Sequence, residues 1–464
     1  MLRDRAAPVD LFALLPALEL CFEPELAELD RLLEDDLLFQ QVKADLSRRR
    51  PHTLETGRPS TPVEVILRLL VIQHLYAWSY QQVEQFVGDS LVLRQFCRLG
   101  IDPTPHHTTL MRWANLLQPE TLHALLDRVT ELARSLKVTR GRKLRIDSTV
   151  VPVAIHYPTD STLLADGVRV ISRLVSRARG WLTDRAAGVG RDRTRSAKRL
   201  VRRIDQSTAL HASRSSQAER PRLYARLLGV ARASLRQAER VHQHLAGRSE
   251  AAAQRVSAAL AQFQPLLRQV IDQTERRVLL GERVPASDKL VSLFEPHTAI
   301  IRKGKAHVPA EFGRKLLLDE VEGGLVSRYA LLDGNPPDAP ELTASLAHHQ
   351  TAFGRAPKVL AADRSFFTLD NRRLVHDLAI PHAALPRQGP LSPAQRQAEH
   401  HVSFRRAYRW RAGVEGRISL LKRRFGLARC RYHAQAGMER WVGLGILAHN
   451  LRQISRALAL RKAA

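Results

Sequence analysis

Two aspartates occupy positions where a carboxylate could take part in chemistry. Asp147 lies inside the short, β-branched segment 143–153, which we predict to be a strand. Asp363 comes just after a second predicted strand, 358–362, and sheet proteins commonly place reactive groups where strands end. Carboxylate oxygens are preferred ligands of hard divalent cations such as Mg²⁺ or Mn²⁺. The two positions therefore suggest a metal-dependent reaction at the rim of a sheet.

Glu415 is the third candidate, because it is the only acidic residue between positions 404 and 432, where the chain has 10 Lys and Arg residues. Taken alone, it would be an ordinary ion-pair partner. At about 100° per residue, however, a helix over 404–425 brings four polar side chains within about 60° of one another: Tyr408, Arg411, Glu415 and Lys422. An adjacent apolar stripe would hold this helix against the sheet: Trp410, Val414, Ile418, Leu421 and Phe425.

These residue types suit phosphodiester chemistry. Two divalent cations about 4 Å apart can activate an attacking hydroxyl and stabilise the leaving oxygen. Arg411 and Lys422 would hold phosphates or offset developing charge, and Tyr408 could position an oxygen of a nucleic-acid backbone. Each of these roles is a hypothesis that depends on the fold.

The charge balance favours a polyanionic partner. The 464 residues include 73 Lys and Arg against 46 Asp and Glu, a formal net charge of +27. Such a surplus attracts nucleic acid, an anionic membrane or an acidic protein. Arginine dominates the surplus, and its planar fork matches phosphate geometry, so nucleic acid is the favoured partner.

Length and hydrophobicity limit the class of protein. A chain of 464 residues is expected to form about two to four domains, and 44% hydrophobic residues exclude wholesale disorder. No apolar run is long enough for a membrane span, and the first residues show no secretory signal. Cys21, Cys97 and Cys430 are too scattered for a disulfide framework or a cysteine zinc site. We therefore expect a cytoplasmic protein in a reducing environment, with no membrane partner.

Residues 1–136 are predicted to form a helical N-terminal domain. Short helices joined by tight turns are compatible with a helix-turn-helix DNA reader, but other small helical bundles look similar. If this domain binds DNA, Arg112 is the candidate phosphate contact. The predicted helices are 63–78, 80–87 capped by Ser79, 109–114 capped by Thr108, and 120–136 after Pro119.

Residues 140–159 are predicted to hold the first strand of a mixed sheet, and residues 160–288 a helical insertion. Between 169 and 248 there are 20 Lys and Arg against 5 Asp and Glu. Because like charges repel unless a counter-charge arrives, a nucleic-acid-facing surface is favoured over a merely solvated one. Residues 289–464 complete the sheet, with strands at 289–294, 298–302, 314–321, 325–332, 358–362 and 380–385, and helices at 339–354, 371–378, 404–425 and 439–460.

Other candidate residues have simpler explanations. Four acids are expected in structural roles: Asp160 and Asp166 as helix caps, and Asp319 and Glu320 as exposed residues of a hairpin strand. Two histidine pairs lack a nearby Cys or a second ligand at a recognisable spacing, so a metal role is disfavoured for them: His106-His107 and His348-His349. Two tryptophans are expected in the core: Trp113 and Trp441.

The polar helix face matches a known signature. Its four residues have the Y-x2-R-x3-E-x6-K spacing of the Y-R-E-K signature of DDE transposases from bacterial insertion sequences. Residues 146–149 resemble the strand with the family's first aspartate, and 362–364 resemble the segment with the second. The segments His156-Tyr-Pro-Thr-Asp-Ser and Glu311-Phe-Gly-Arg-Lys resemble stretches of the ISNCY-type group. Residues 56–115 resemble the helical domain that precedes the catalytic core in related transposases.

The resemblance implies an α/β fold with an RNase H-like catalytic core, a mixed sheet flanked by helices, together with a helical N-terminal domain and a large helical insertion. Asp147, Asp363 and Glu415 would be the catalytic residues and the ligands of Mg²⁺ or Mn²⁺, and would cut and join the DNA ends of an insertion sequence. Tyr408, Arg411 and Lys422 would bind DNA phosphates. The implied partners are double-stranded DNA, both terminal inverted repeats and target, in the bacterial nucleoid, and further copies of the chain.

The gap of 216 residues between Asp147 and Asp363 departs from the simplest form of this core. It requires the helical segment 160–288 to be an insertion between the first strand and the rest of the sheet. If that segment is instead a separate domain, the strands that carry the carboxylates would have other neighbours in the sheet. Two other functions stay open. One is a non-catalytic DNA-binding protein, either a regulator or a decayed transposase, and the other is a nuclease that does not join its products.

Overall fold

The computed structural model describes residues 3, 5, 22–49, 52–56, 59–182, 191–208, 214–302 and 310–464. The chain forms two compact units. The first combines Met1–Pro152 with Arg314–Ala464, and the second is the segment between them, Val153–Gly313. The N-terminal helices therefore belong to the same unit as the C-terminal half, and residues 160–288 lie within the second unit.

Six strands are present in the described residues: β1 (Lys143–Pro152), β2 (Ala299–Ile301), β3 (Glu311–Val321), β4 (Leu325–Leu332), β5 (Val359–Ala362) and β6 (His382–Ala384). In the first unit the strand order is β4-β3-β1-β5-β6. β1, β5 and β6 are parallel, whereas β3 and β4 are antiparallel, so the sheet is mixed as predicted. β2 belongs to the second unit, where it pairs with residues 311–313.

The hairpin of β3 and β4 turns through Gly323 and Gly324, which have positive φ angles of 86° and 74°. L side chains rarely adopt these angles, so the two glycines fix the turn that the sequence predicted. Lys143, at the start of β1, donates its backbone N–H to Glu322, just past the end of β3, at 2.9 Å. The start of one strand thus meets the end of the other, which makes β1 and β3 antiparallel neighbours.

Helices surround the sheet of the first unit. Those before β1 in the described residues are α1 (Pro24–Leu32), α2 (Asp36–Ser47), α3 (Val63–Leu75), α4 (Tyr80–Asp89), α5 (Leu91–Phe96), α6 (His107–Ala114) and α7 (Pro119–Ser135). The second unit has its own helices, which are α8 (Asp160–Ala178), α9 (Thr194–Thr208), α10 (Arg214–Leu245) and α11 (Ala251–Thr274). After β4 come α12 (Glu341–Phe353), α13 (Leu369–Asp377), α14 (Pro393–His400), α15 (Val402–Arg424) and α16 (Ala434–Ala463).

Helix α16 runs through the core of the first unit. All residues from Trp441 to Leu451 are buried, and the helix packs against α1, α3 and α7. Asn450 receives a hydrogen bond from the Val326 N–H at 3.0 Å and donates one to the Val326 carbonyl at 2.7 Å, which ties α16 to β4. Trp113 is also buried, so both tryptophans lie in the core as predicted.

The second unit has its own apolar core, formed by α8, α10 and α11 together with the inner face of α9. Thr159 caps α8 through a reciprocal capping box with Thr162. Asp160 was predicted to be a cap, but it is buried and pairs with Arg277 at 2.7 Å. Asp166 lies inside α8 and pairs with Arg169 at 2.8 Å, so neither aspartate caps this helix.

Three other sequence expectations are wrong. Residues 289–294 do not form a strand, because the Ser292 hydroxyl accepts the backbone N–H groups of residues 294 and 295 and so holds a turn. The cap of α6 is His106 rather than Thr108, since the His106 ring accepts the N–H of Thr108 at 3.4 Å. Asp319 and Glu320 are buried, not exposed.

Among the described residues, no helix is both long and apolar enough to cross a membrane. Cys97 and Cys430 are buried, and Cys21 lies outside the described residues. Burial raises the pKa of the Cys97 thiol to about 12, so this thiol is protonated and a poor nucleophile at neutral pH.

Replacing Gly445 by alanine should destabilise the first unit. A Cβ at Gly445 would lie 2.6 Å from the backbone carbonyl oxygen of Phe425, which cannot move aside as a flexible side chain could. We expect Gly445→Ala to lower the free energy of unfolding by about 1–3 kcal/mol in urea denaturation. Gly416→Ala is the control, because a Cβ there meets nothing within 4 Å and alanine favours a helix. Equal effects of the two variants would contradict this packing.

Candidate active site

Asp147 lies in the middle of β1, and only 14% of its side chain is exposed. Its Oδ1 accepts a hydrogen bond from the backbone N–H of Ser148 at 2.7 Å. Its Oδ2 accepts a hydrogen bond from Arg411 Nη2 at 3.3 Å. The backbone of β1 and a guanidinium from α15 therefore orient this carboxylate together.

Asp363 follows β5 directly, and strand register places it beside Asp147. Ile146 pairs with Ala362 in the parallel ladder, so the next residue on each strand lies at the same edge of the sheet. Asp363 Oδ1 accepts the N–H of Arg364 at 2.7 Å and lies 3.7 Å from Arg411 Nη2. The structure thus brings together two aspartates that are 216 residues apart in the sequence.

Helix α15 is held against β1, β5 and β6 by its apolar side. Val414, Leu421 and Phe425 of the predicted apolar stripe are buried, and Trp410 and Ile418 are half-buried. Small residues allow the close approach: Ala407 of the helix contacts Ala361 of β5 and Ala384 of β6. This packing directs Arg411 to the strand edge where the aspartates lie.

Arg411 is 12% exposed, and its Nη2 and Nε nitrogens have different surroundings. Its Nη2 reaches both aspartates, while its Nε is buried and has no hydrogen-bond acceptor among the described residues. The guanidinium also lies 5.8 Å from the ring centre of Tyr408, which is half-buried on the same helix. A buried donor next to two carboxylates is costly unless a ligand satisfies it, and a phosphate oxygen has the required chemistry.

Glu415 lies one helical turn beyond Arg411, and its side chain is exposed. In the described part of the chain, the oxygens of Asp147, Asp363 and Glu415 do not all lie within 4.8 Å of one another. Lys422 is half-buried near the end of α15. Arg411 therefore contacts both aspartates directly, whereas Glu415 is related to them only because it lies on the same helix, and on the same face of that helix, as Arg411.

A buried ion-pair network, which the sequence did not reveal, connects α15 to the sheet. Arg145 of β1 donates to Glu320 of β3 from Nε at 2.9 Å and from Nη2 at 2.6 Å. From Nη1 it donates to the carbonyl of Trp410 on α15 at 2.5 Å, and its guanidinium lies 4.8 Å from the Trp410 ring centre. Arg417 of the same helix also donates to Glu320, at 3.2 Å. The network fixes the position of α15 against β1, and its contact on that strand, Arg145, is only two residues before Asp147.

A basic cavity of about 330 Å³ opens beside Tyr408. Its lining includes Glu399, whose Oε1 accepts the N–H of Arg387 at 3.0 Å. Four arginines give the cavity a net positive lining: Arg364, Arg396, Arg405 and Arg409. Since Arg364 follows Asp363 in the chain, an anionic strand in this cavity would pass close to the aspartates.

Glu84, His106 and His107 form the one group in the described residues with at least three potential metal ligands mutually within 4.8 Å. Glu84 of α4 accepts the backbone N–H of His107 at 2.9 Å and also contacts His107 Nδ1 at 2.7 Å. These contacts hold the start of α6 against α4, so helix capping accounts for the group. Arg112 is exposed on α6.

Two regions of the chain match family models. Residues 311–451 match the model described as Transposase DDE domain, and residues 19–116 match Transposase domain (DUF772). A curated protein of Rhizobium meliloti, described as "Uncharacterized protein ORF8 in nfe locus", is 26% identical over 125 residues, which are 25% of this chain. The matched region spans 59% of the length of that relative. No solved structure matches the chain.

The domain matches define the class of the fold. The mixed sheet flanked by helices is an RNase H-like core, the fold that a DDE transposase domain implies. The two matches together support a DDE transposase of an insertion sequence, a protein of DNA recombination and transposition. Asp363 and Glu415 lie inside the DDE match, whereas Asp147 and the second unit up to residue 310 lie outside both matches.

Breaking the Arg145–Glu320 pair should destabilise the first unit strongly. Arg145→Met leaves Glu320 buried without its bidentate partner, and removing one member of a buried pair typically costs about 3–5 kcal/mol. Arg142→Met is the matched control, because Arg142 is exposed and close by on the chain. Chemical denaturation of the two variants compares their free energies of unfolding. A loss below about 1 kcal/mol for Arg145→Met would show that the network does not hold the helix.

The capping role of Glu84 predicts a pH-dependent effect. Hydrogen bonds from His107 lower the pKa of Glu84 from its ordinary value of 4.5, so its carboxylate stabilises the fold above that value. This stability is lost as pH falls through the lower pKa of the folded state. Glu84→Gln should therefore cost about 1 kcal/mol at most near pH 7, and the cost should shrink as the pH falls below 4.5, as measured by urea denaturation. A cost that is independent of pH would contradict the charged cap.

Proposed function

We propose that this chain is a DDE transposase with the Y-R-E-K signature of the ISNCY-type group, which cuts the DNA ends of its insertion sequence and joins them to target DNA. One observation carries the proposal. Arg411 contacts both Asp147 and Asp363, and the helix that supplies it also bears Glu415 one turn later. The two transposase-domain matches support the same function.

The residues fit a hard divalent cation. An oxygen of Asp147 and an oxygen of Asp363 lie 3.3 and 3.7 Å from the same nitrogen, Nη2 of Arg411. The two carboxylates therefore already share one positively charged neighbour. Glu415 is exposed on the next turn and would supply the third carboxylate by a change of rotamer. In this proposal the three carboxylates hold Mg²⁺ or Mn²⁺. A divalent cation held by these carboxylates would supply Lewis acidity for the attacking hydroxyl and the leaving oxygen.

The reaction has two displacements at phosphorus. First, a water oxygen forms a bond to a phosphorus at the end of the element, the bond to the 3′ oxygen breaks, and that oxygen leaves as a 3′ hydroxyl. The freed 3′ hydroxyl then forms a bond to a phosphorus of the target and displaces another 3′ oxygen. Both displacements build negative charge on the phosphate, so cationic donors close to the carboxylates favour them.

The residues of α15 have separate tasks in this scheme. Arg411 offsets the repulsion between the two aspartates and offers its unused Nε donor to a phosphate oxygen. Lys422 adds positive charge from the same helix. Tyr408, on the wall of the basic cavity, positions the DNA backbone together with Arg364.

The N-terminal helices would bind the terminal inverted repeats. Arg112 is exposed on α6 and available to a phosphate. Because two element ends and a target must be held at the same time, we expect the active form to be a homo-oligomer on double-stranded DNA. The salt dependence of binding should be steep, since each neutralised phosphate releases counterions.

Loss of each carboxylate should stop cleavage without preventing DNA binding. Purified chain, Mg²⁺ or Mn²⁺ and the DNA that flanks its reading frame are incubated, and nicked and joined products are separated on gels. Asp147→Asn, Asp363→Asn and Glu415→Gln should each reduce cleavage by about 100-fold or more, because each removes a ligand or charge needed in the transition state. Asp370→Asn is the control, as 90% of that side chain is exposed on α13.

The products separate the alternatives. Joined products support a transposase, and cleavage without joining indicates a nuclease instead. Binding with neither product identifies a non-catalytic DNA-binding protein. Full cleavage by any one of the three variants would remove that residue from the site.

A further inference from the structure

A groove lined by arginines lies between α9 and α10 in the second unit. Its volume is about 430 Å³, and it is open to solvent. Five arginines line it: Arg191, Arg193, Arg199, Arg203 and Arg226. No family match covers this part of the chain.

The base of the groove is made of small and apolar residues. Gly229 and Ala233 lie one turn apart on α10, and Ser196 faces them from α9. A Cβ added at Gly229 would meet nothing within 4 Å, so the base is open space rather than packed core. A bulky group can therefore enter between the arginines.

The positive charge in the groove is poorly compensated. Arg203 pairs with Glu219, and Arg193 donates to the uncharged side chain of Gln237. Arg191, Arg199 and Arg226 are exposed, and none of them forms an ion pair with a described residue. Burial and then the neighbouring charge of Arg191 lower the pKa of Arg193, as expected where cations are crowded.

The positive surface continues along the helix. Arg195, Lys198 and Arg202 are exposed on α9 at helical spacings of three and four residues. At about 1.5 Å per residue, the row from Arg195 to Arg202 therefore extends over roughly 10 Å. Asp192, whose carboxylate accepts the N–H of Thr194 at 2.8 Å at the start of α9, adds one negative charge near the Arg195 end of this row.

We propose that the α9–α10 groove binds the phosphodiester backbone of DNA through Arg191, Arg199 and Arg226. Guanidinium forks match phosphate oxygens, and a row of evenly spaced cations matches a polymer with evenly spaced anions. The choice of DNA as the polyanion rests on the proposed function. The groove reads no bases, because phosphate contacts alone carry no sequence information.

The test measures binding of the full-length chain to a short duplex of arbitrary sequence, in EDTA and over a range of salt concentrations. Replacing Arg191, Arg199 and Arg226 together by glutamine should weaken binding about tenfold or more at low salt. The slope of log K against log salt should become shallower by about 2–3, since each phosphate contact contributes about 0.9. The matched control replaces Arg222, Arg240 and Arg255 by glutamine, which are exposed in the same unit and do not line the groove.

A steric variant separates the groove from net charge. Gly229→Leu with Ala233→Leu fills the base without changing charge and should also weaken DNA binding. Thermal unfolding of every variant should match the wild type, which excludes misfolding as the cause. Equal weakening by the groove and control triples, or no effect of filling, would overturn the proposal, as would equally tight binding of polyglutamate at the groove.

The two proposals fail in different ways. Since binding is measured without metal, a chain that binds through the groove but never cleaves would contradict the transposase activity alone. A chain that cleaves DNA, and whose groove triple binds as tightly as the wild type, would contradict the groove alone.

Discussion

Parallel pairing of β1 with β5 is the constraint on which the site depends. The Ile146–Ala362 register makes Asp147 and Asp363 neighbours at one edge of the sheet. Two carboxylates at close range repel each other, so the arrangement needs a compensating positive charge. Arg411 supplies that charge from α15, with contacts of 3.3 and 3.7 Å to the two aspartates. A divalent cation satisfies the same requirement, which connects this electrostatic feature to the proposed chemistry.

The position of α15 depends on two kinds of contact. Apolar packing of Ala407 against Ala361 of β5 and Ala384 of β6 stabilises the contact but does not by itself fix the helix at one position along the strands. Arg145 fixes where the helix lies along the strands, because its guanidinium donates hydrogen bonds both to Glu320 of β3 and to the Trp410 carbonyl of α15. Buried ion pairs contribute little net stability compared with apolar residues of the same volume. We infer that this network matters chiefly because it sets where Arg411 and Glu415 lie along the sheet.

The sequence predicted those features that depend on local pattern. The periodicity of α15, the Gly323–Gly324 hairpin and the strand before Asp363 all follow from spacing and turn residues, and the structure confirms them. The mixed sheet was predicted from the alternation of its elements, and it is confirmed as well. The roles of Asp147, Asp363 and Glu415 in catalysis stay predictions.

Features that depend on distant partners were not predictable in the same way. Glu320 was expected on the exposed face of a strand, because nothing local shows that Arg145, 175 residues away, meets it. Asp160 was expected to cap α8 for the same reason, since Arg277 is brought to it by the fold. Residues 289–294 have a strand-like composition, yet the Ser292 hydroxyl competes locally with strand pairing. A hint was available at Arg145, a charged residue between the apolar residues Leu144 and Ile146.

Anomalous diffraction from crystals of the chain soaked in Mn²⁺ tests the central claim most directly. The account predicts a peak between Asp147 and Asp363, with Glu415 turned toward it and Arg411 displaced from at least one aspartate. No peak at the aspartates, or a peak only beside Glu84, His106 and His107, would contradict it.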